Sequence, residues 1–192
     1  MKPVICYLHG LNCSSKIFNF LHSQLPEHTP YFIDYDSHAD IETSYNFVLS
    51  RLPKKQPFSI IGHSLGGIIG HLITTRSKAN VKNLVTISTP FGGSAPASLL
   101  KWFYPRFKVL RDLAPTSNAM QEIAEYVPRC PFLSLVSISG NMPFISEAND
   151  GVVTIDSQTA IPATERITLD ANHFEAVQDE KCIDAITKFV FK

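Results

Sequence analysis

Ser64 stands in Ile60-Ile61-Gly62-His63-Ser64-Leu65-Gly66-Gly67-Ile68-Ile69, with a glycine two places to either side. A serine hydroxyl is a weak nucleophile until a neighbouring base takes its proton. The apolar run Phe58 to Gly62 reads as a strand, and Leu65 to Thr75 reads as a helix. Only a sharp turn fits between them. Such a turn holds the serine in a strained conformation, with its hydroxyl above the sheet edge. Glycines at 62 and 66 keep side chains out of the turn, which is the Gly-x-Ser-x-Gly nucleophile elbow. The helix start also aims free N–H groups and positive dipole at any oxyanion formed beside Ser64. The same spacing fits a glycine-rich helix packed closely on a sheet; the strand–turn–helix context favours the nucleophile.

A nucleophilic serine needs a base, and the base needs an orienting carboxylate. With an elbow of this kind the chain order is serine, acid, histidine, after successive later strands. Of the seven histidines only His71 and His173 follow Ser64. His71 lies two turns into the helix, directed away from the elbow. His173, in Asp170-Ala171-Asn172-His173-Phe174, falls between the last strand and the last helix, where a base reaches back over the sheet edge. The acid is expected in Glu147-Ala148-Asn149-Asp150-Gly151-Val152-Val153. Asp150 is the choice, although Asp-Gly is also a plain turn signal and Glu147 and Asp156 are close rivals. Asp170 reads as a cap for the last helix. For an oxyanion hole, the Leu65 N–H is one donor by position, and the loop His9-Gly10-Leu11-Asn12 supplies the other. Leu11 is preferred, with Asn12 as runner-up. His9 reads as shaping that loop, and His63 as a structural contact beside the nucleophile.

The elements that must position these groups alternate along the chain. Strands are expected at Val4–Leu8, Tyr31–Ile33, Phe58–Gly62, Val81–Ser88, Phe132–Ser139 and Arg166–Leu169. Helical spacing is read at Ile17–Leu25, Ile41–Leu52, Leu65–Thr75 and Phe174–Phe191. Short apolar strands alternating with helices imply a parallel sheet covered on both faces. The stretch from Phe91 to Pro131 breaks this rhythm, with glycines, prolines and two short helical patterns but no strand. Long excursions of that kind are usually functional, although added loop length costs little entropy and can be decoration.

Composition narrows the rest. The 192 residues, 44% hydrophobic, suit one domain over the whole chain with a sizeable core. A formal net charge of +0 gives no global field toward nucleic acid or anionic membranes. Cys6, Cys13, Cys130 and Cys182 form no Cys-x-x-Cys pair and no zinc spacing, and Cys6 reads as a core residue. No run reaches the ~20 apolar residues of a membrane span. The N-terminus is too short in apolar residues for a signal segment, so a cytoplasmic protein is expected.

Together, His9-Gly10-Leu11, Gly62-His63-Ser64-Leu65-Gly66-Gly67, Asp150-Gly151-Val152-Val153 and Asn172-His173-Phe174 resemble the α/β-hydrolase superfamily, and more narrowly its small serine lipases and esterases. Ser88-Thr89-Pro90-Phe91-Gly92-Gly93-Ser94 and Leu110-Arg111-Asp112-Leu113-Ala114-Pro115-Thr116-Ser117 are similar to lipase segments after the next strand and in the cap. The resemblance covers nearly the whole chain. It implies Ser64 as nucleophile, His173 as base, Asp150 as its partner, and no metal or organic cofactor. The family's sheet usually has eight strands, two of them before the oxyanion loop. Here that loop comes after the first strand, so a reduced, mostly parallel α/β sheet of about six strands is expected, with residues 91–131 as a cap.

The expected activity is hydrolysis of small carboxylic esters. Thioester or amide hydrolysis with the same triad, or a binding protein on this fold, are the alternatives. Residues 98–111 carry the one tryptophan, three further aromatics and four cations. Trp102 and Phe103 are read as covering the acyl chain, and the basic rim as a possible contact with lipid surfaces. Aromatics packed on the core with solvated cations outside are the plainer reading of the same stretch. Pro105 rules out one long amphipathic helix there.

Overall fold

A computed structural model of the chain describes residues 2–97, 103–104, 106–142 and 145–192. Six strands form one sheet: β1 (Val4–Leu8), β2 (Thr29–Ile33), β3 (Phe58–His63), β4 (Val81–Ile87), β5 (Phe132–Ser137) and β6 (Glu165–Leu169). Their order is β2-β1-β3-β4-β5-β6, and all five pairings are parallel. This is the reduced, parallel α/β sheet of six strands that the sequence implies. The central strands β1, β3 and β5 are buried along their whole length. That is why they read in the sequence as mostly apolar runs rather than alternating ones.

Alternate residues feed two cores. On one face Val4, Cys6, Leu8, Ile60 and Leu84 meet α2 (Ile41–Arg51) and α3 (Leu65–Arg76). On the other, Ile5, Tyr7, Ile61, Val85 and Leu133 meet α1 (Asn19–Gln24) and the closing helix. Among the described residues, the shorter helices α4 (Val109–Asp112), α5 (Asn118–Glu125) and α6 (Ile155–Gln158) lie between β4 and β6. The closing helix α7 spans Glu180–Val190.

Three local expectations change. The helical pattern over Phe174–Phe191 divides into a 3-10 turn, Glu175–Val177, and α7. Asp179 interrupts it because its carboxylate accepts the Cys182 N–H at 3.0 Å and so starts a new helix. Asp170 therefore does not cap the last helix; its carboxylate accepts a hydrogen bond from the Ser139 hydroxyl. In addition, β2 begins at Thr29, before its aromatic residues, because the Thr29 N–H reaches the Pro3 carbonyl at 2.8 Å. Among the described residues no helix is long and apolar enough to cross a membrane.

Candidate active site

The carboxyl ends of β1, β3, β4, β5 and β6 lie side by side, and the loops leaving them meet above the sheet. At the end of β3 the Ser64 N–H continues the ladder to the Ile87 carbonyl at 2.8 Å. The next residue already begins α3. The cost of so abrupt a change is a backbone at φ +54° and ψ −120°, where a residue with a side chain is strained. The flanking glycines are needed for close approach. A Cβ on Gly66 would lie 1.9 Å from the Leu8 carbonyl oxygen, and one on Gly62 would lie 2.5 Å from that of Gly66. The β1 loop comes equally close: a Cβ on Gly10 would sit 3.0 Å from the Ser64 Cβ.

Ser64 opens onto a cavity of about 360 Å³ that His173 also lines. Its walls are mainly apolar, including Leu11, Leu65, Leu110, Leu113 and Met142, with the half-exposed Phe174 at its mouth. His173 donates from Nδ1 to Asp150 Oδ2 at 2.7 Å. The carboxylate can only accept, so Nδ1 carries the hydrogen and Nε2 keeps its lone pair. Nε2 has no hydrogen-bond partner among the described residues, and none joins it to Ser64. Free enzymes often hold such pairs apart until substrate arrives.

Asp150 is 1% exposed and sits in a tight loop after β5. Its N–H bonds the Val153 carbonyl, and its own carbonyl accepts the His173 N–H, both at 3.0 Å. Oδ1 accepts from the Val152 and Val153 N–H groups at 2.9 and 2.7 Å. Oδ2 accepts from Ser137 Oγ at 2.7 Å and from Gln158 Nε2 at 3.2 Å, besides His173. Burial alone would raise this carboxyl group's pKa. The His173 hydrogen bond and charge, the Ser137 hydroxyl and the Val153 N–H outweigh it and hold the pKa below the ordinary value. Gly140 makes room for this loop, since a Cβ there would lie 1.9 Å from the Asp150 carbonyl carbon.

Around the loop after β1, the Asn12 N–H is engaged by Ser37 Oγ at 3.0 Å. Among the described residues the N–H groups of Leu11 and Leu65 have no such partner, and both residues line the cavity. His9 donates from Nδ1 to the Gly10 carbonyl at 2.9 Å and stacks on Tyr35 at 4.4 Å, fixing the loop. His63 is fully buried and donates from Nε2 to the His173 carbonyl at 2.9 Å. Burial, with the neighbouring His173 charge, pushes its pKa down to about 3, so it stays neutral. His71 points away from the site, bonding the Tyr126 carbonyl.

Ser64, His173 and Asp150 thus come together with Leu11 and Leu65. Glu147 and Asp156 are exposed and face a neighbouring cavity of about 390 Å³. Phe103 is 78% exposed and does not line the cavity at Ser64. Trp102 lies outside the described residues. Sequence reasoning missed Ser137, Gln158 and Cys13, the last a cavity-lining thiol. None belongs to a spaced motif, so only the folded chain brings them to the site.

A family profile described as the alpha/beta hydrolase fold matches residues 17–115, just over half of the chain. Comparison with curated protein sequences finds no match. Among solved structures, the mature Bacillus licheniformis lipase BlEst2 superposes with a TM-score of 0.79 at 19% identity, covering 98% of this chain and 92% of that one. A hydrolase from Pseudomonas aeruginosa gives a TM-score of 0.72 at 16% identity, with coverages of 100% and 91%. A monoacylglycerol lipase from Paleococcus ferrophilus gives 0.67 at 16%, with coverages of 98% and 95%. At these identities the likeness is one of fold, and together with the profile match it means that the chain belongs to the alpha/beta hydrolase family.

Proposed function

We propose that this protein hydrolyses small carboxylic esters through an acyl-enzyme on Ser64. The observation that carries the reading is the shared cavity: a serine on a strained strand–helix turn opens onto it beside a histidine whose far nitrogen is held by a buried carboxylate. His173 Nε2 takes the Ser64 proton as Oγ attacks the acyl carbonyl. The tetrahedral oxyanion is held by the Leu11 and Leu65 N–H groups at the cavity. Asp150 fixes the tautomer and stabilises the imidazolium. His173 then protonates the leaving alkoxide, and water attacking with its help releases the acid and restores Ser64. Every group in these steps comes from the chain itself. The apolar walls suit the acyl chain.

Residues 91–131 serve in this reading as a cap. The exposed Phe103 and Tyr104, with Arg106, Lys108 and Arg111 exposed beside them, suit contact with a lipid surface from which substrate enters.

The test is turnover of p-nitrophenyl esters of increasing acyl length, beside matched thioesters, with Ser64→Ala as control. Ester turnover is expected, falling by about 10⁴- to 10⁶-fold in the variant. A fluorophosphonate probe should label the wild type at Ser64. Preference for thioesters would replace the ester reading with a thioesterase. Folded protein that neither turns over nor labels would sink catalysis altogether and leave a binding protein.

A further inference from the structure

We propose that Ser137, supported by Ser88 and Gln158, is a positioning residue of the catalytic machinery: a one-way hydrogen-bond chain that aims Asp150 Oδ2 at His173. The inference rests on the serine-hydrolase reading above. Counting hydrogens sets the direction of the chain. A hydroxyl has one hydrogen to give. Ser137 Oγ lies 2.7 Å from Asp150 Oδ2 and 3.4 Å from Gln158 Oε1; both can only accept, and the short contact to the carboxylate takes the hydrogen. Ser88 Oγ lies 2.7 Å from Ser137 Oγ and must therefore be the donor of that pair. The chain has a single direction, from Ser88 to Ser137 to Oδ2, where it meets the hydrogen on His173 Nδ1.

Gln158 fixes the same oxygen from another side. Its Oε1 accepts the Ser137 N–H at 3.0 Å, and its Nε2 donates to the Ser137 carbonyl at 2.9 Å and to Asp150 Oδ2 at 3.2 Å. Flipping the amide would set oxygen against both acceptors, so its orientation is determined. Ser88, Ser137, Asp150 and Gln158 are all buried, where an unpaired polar group is costly. The carboxylate consequently has no freedom to turn away when His173 becomes charged.

The chain also shares out the carboxylate's charge. Ser137 and His173 compete for one oxygen. Removing the Ser137 hydroxyl leaves more charge facing the imidazolium and favours its protonated form. The other titratable groups nearby are His63, buried and neutral, whose ring is tilted against that of His173 with centroids 4.9 Å apart, and His9 on the β1 loop. Neither touches Asp150.

Ser137→Ala is the informative variant, because Gln158 also holds backbone groups and its loss would harm the fold. The readouts are kcat and KM across pH, and the downfield proton resonance of His173 Nδ1–H. Ser137→Ala should lower kcat about tenfold with KM within twofold, move the acid limb of the profile to higher pH, and shift the resonance. Ser137→Thr, which restores a hydroxyl, should recover most of the loss. Ser88→Ala combined with Ser137→Ala should match Ser137→Ala alone, since Ser88 acts only through Ser137. A folded Ser137→Ala protein with unchanged kcat, pH profile and resonance would overturn the proposal, and so would additive losses in the double variant. If the wild type neither turns over nor labels, the hydrolase reading fails; an unmoved resonance in the variant then removes the positioning chain as well, and a shifted one keeps it as a lock on the Asp150–His173 pair.

Discussion

Two serines leave two neighbouring strands in nearly the same way. Ser64 comes after β3 and Ser88 after β4, and both backbones sit at φ +54°. Each N–H continues the ladder into the next strand, Ser64 to the Ile87 carbonyl at 2.8 Å and Ser88 to the Leu135 carbonyl at 3.0 Å. The segments just downstream differ. Leu65-Gly66-Gly67 starts a helix at once, so Ser64 is lifted to the cavity. Thr89-Pro90-Phe91 starts no helix, and Ser88 stays fully buried against Ser137. The two turns pack together, since a Cβ on Gly67 would strike Thr89 Oγ1 at 1.9 Å. A strained strand end is therefore a shared piece of scaffold. The residues after it decide whether the hydroxyl becomes a nucleophile or a strut.

Deleting each hydroxyl breaks the comparison most sharply. Ser64→Ala should cost the full triad factor of about 10⁴ to 10⁶ in kcat. Ser88→Ala should cost less than about tenfold, and equal losses would mean that the two serines are not divided as argued. Next in size is the glycine that lets the first turn lie against β1. Gly66→Ala places a methyl group on the Leu8 backbone, which cannot yield as a side chain would, and should cost about 3 kcal/mol or more in urea unfolding. Pro90→Ala, at the matching place after Ser88, should cost less than about 1 kcal/mol, because no helix has to pass beneath it.

Acid separates the two sides again. Ser64 is preceded by His63 and succeeded by the helix that carries His71; Ser88 is preceded by Ile87. Burial pushes the His63 pKa to about 3 and the His71 pKa to about 4, against 6.5 for an ordinary histidine. Below pH 6.5 the unfolded chain binds protons that the folded chain refuses, so stability falls as pH falls. Each histidine contributes about 1.4 kcal/mol per pH unit, down to its own folded pKa. Asp150, whose pKa is lowered, adds its loss only below the ordinary carboxylate value of 3.8. Between pH 6 and pH 5, His71→Gln should therefore lose about 1 kcal/mol less than the wild type in urea titrations. An equal loss would place the acid sensitivity elsewhere.

The same pair of serines shows what the sequence makes legible. Ser64 stands out because close packing demanded glycines at fixed offsets, and sequence reading sees such constraints directly. Central strands show for a related reason: burial on both faces leaves them almost wholly apolar. Ser88 has the same positive φ, yet nothing beside it demands a glycine, and its partner Ser137 is 49 residues away. Gln158 reaches Ser137 across 21 residues with no spacing to betray it. The closing helix misleads for a different reason. Apolar periodicity runs through Asp179, while the cap that splits the segment depends on one hydrogen bond.

The smallest expected effect tests whether the strain at the two turns is alike. Glycine adopts a positive φ without penalty, so Ser64→Gly should release about 1–3 kcal/mol of local strain. It gives back up to about 1 kcal/mol through the greater freedom of the unfolded chain. The Ser64 side chain makes no hydrogen bond among the described residues, so the inactive variant should be more stable than the wild type by about 1 kcal/mol. Ser88→Gly releases similar strain but removes a buried hydroxyl from its partner, at about 1–3 kcal/mol. Its stability should stay level or fall. Urea unfolding of the two variants side by side should separate them by about 1–2 kcal/mol, with Ser64→Gly the more stable. A Ser64→Gly protein no more stable than the wild type would mean that the elbow carries no strain. The helix packed against it, rather than a tensed backbone, would then be what presents the nucleophile.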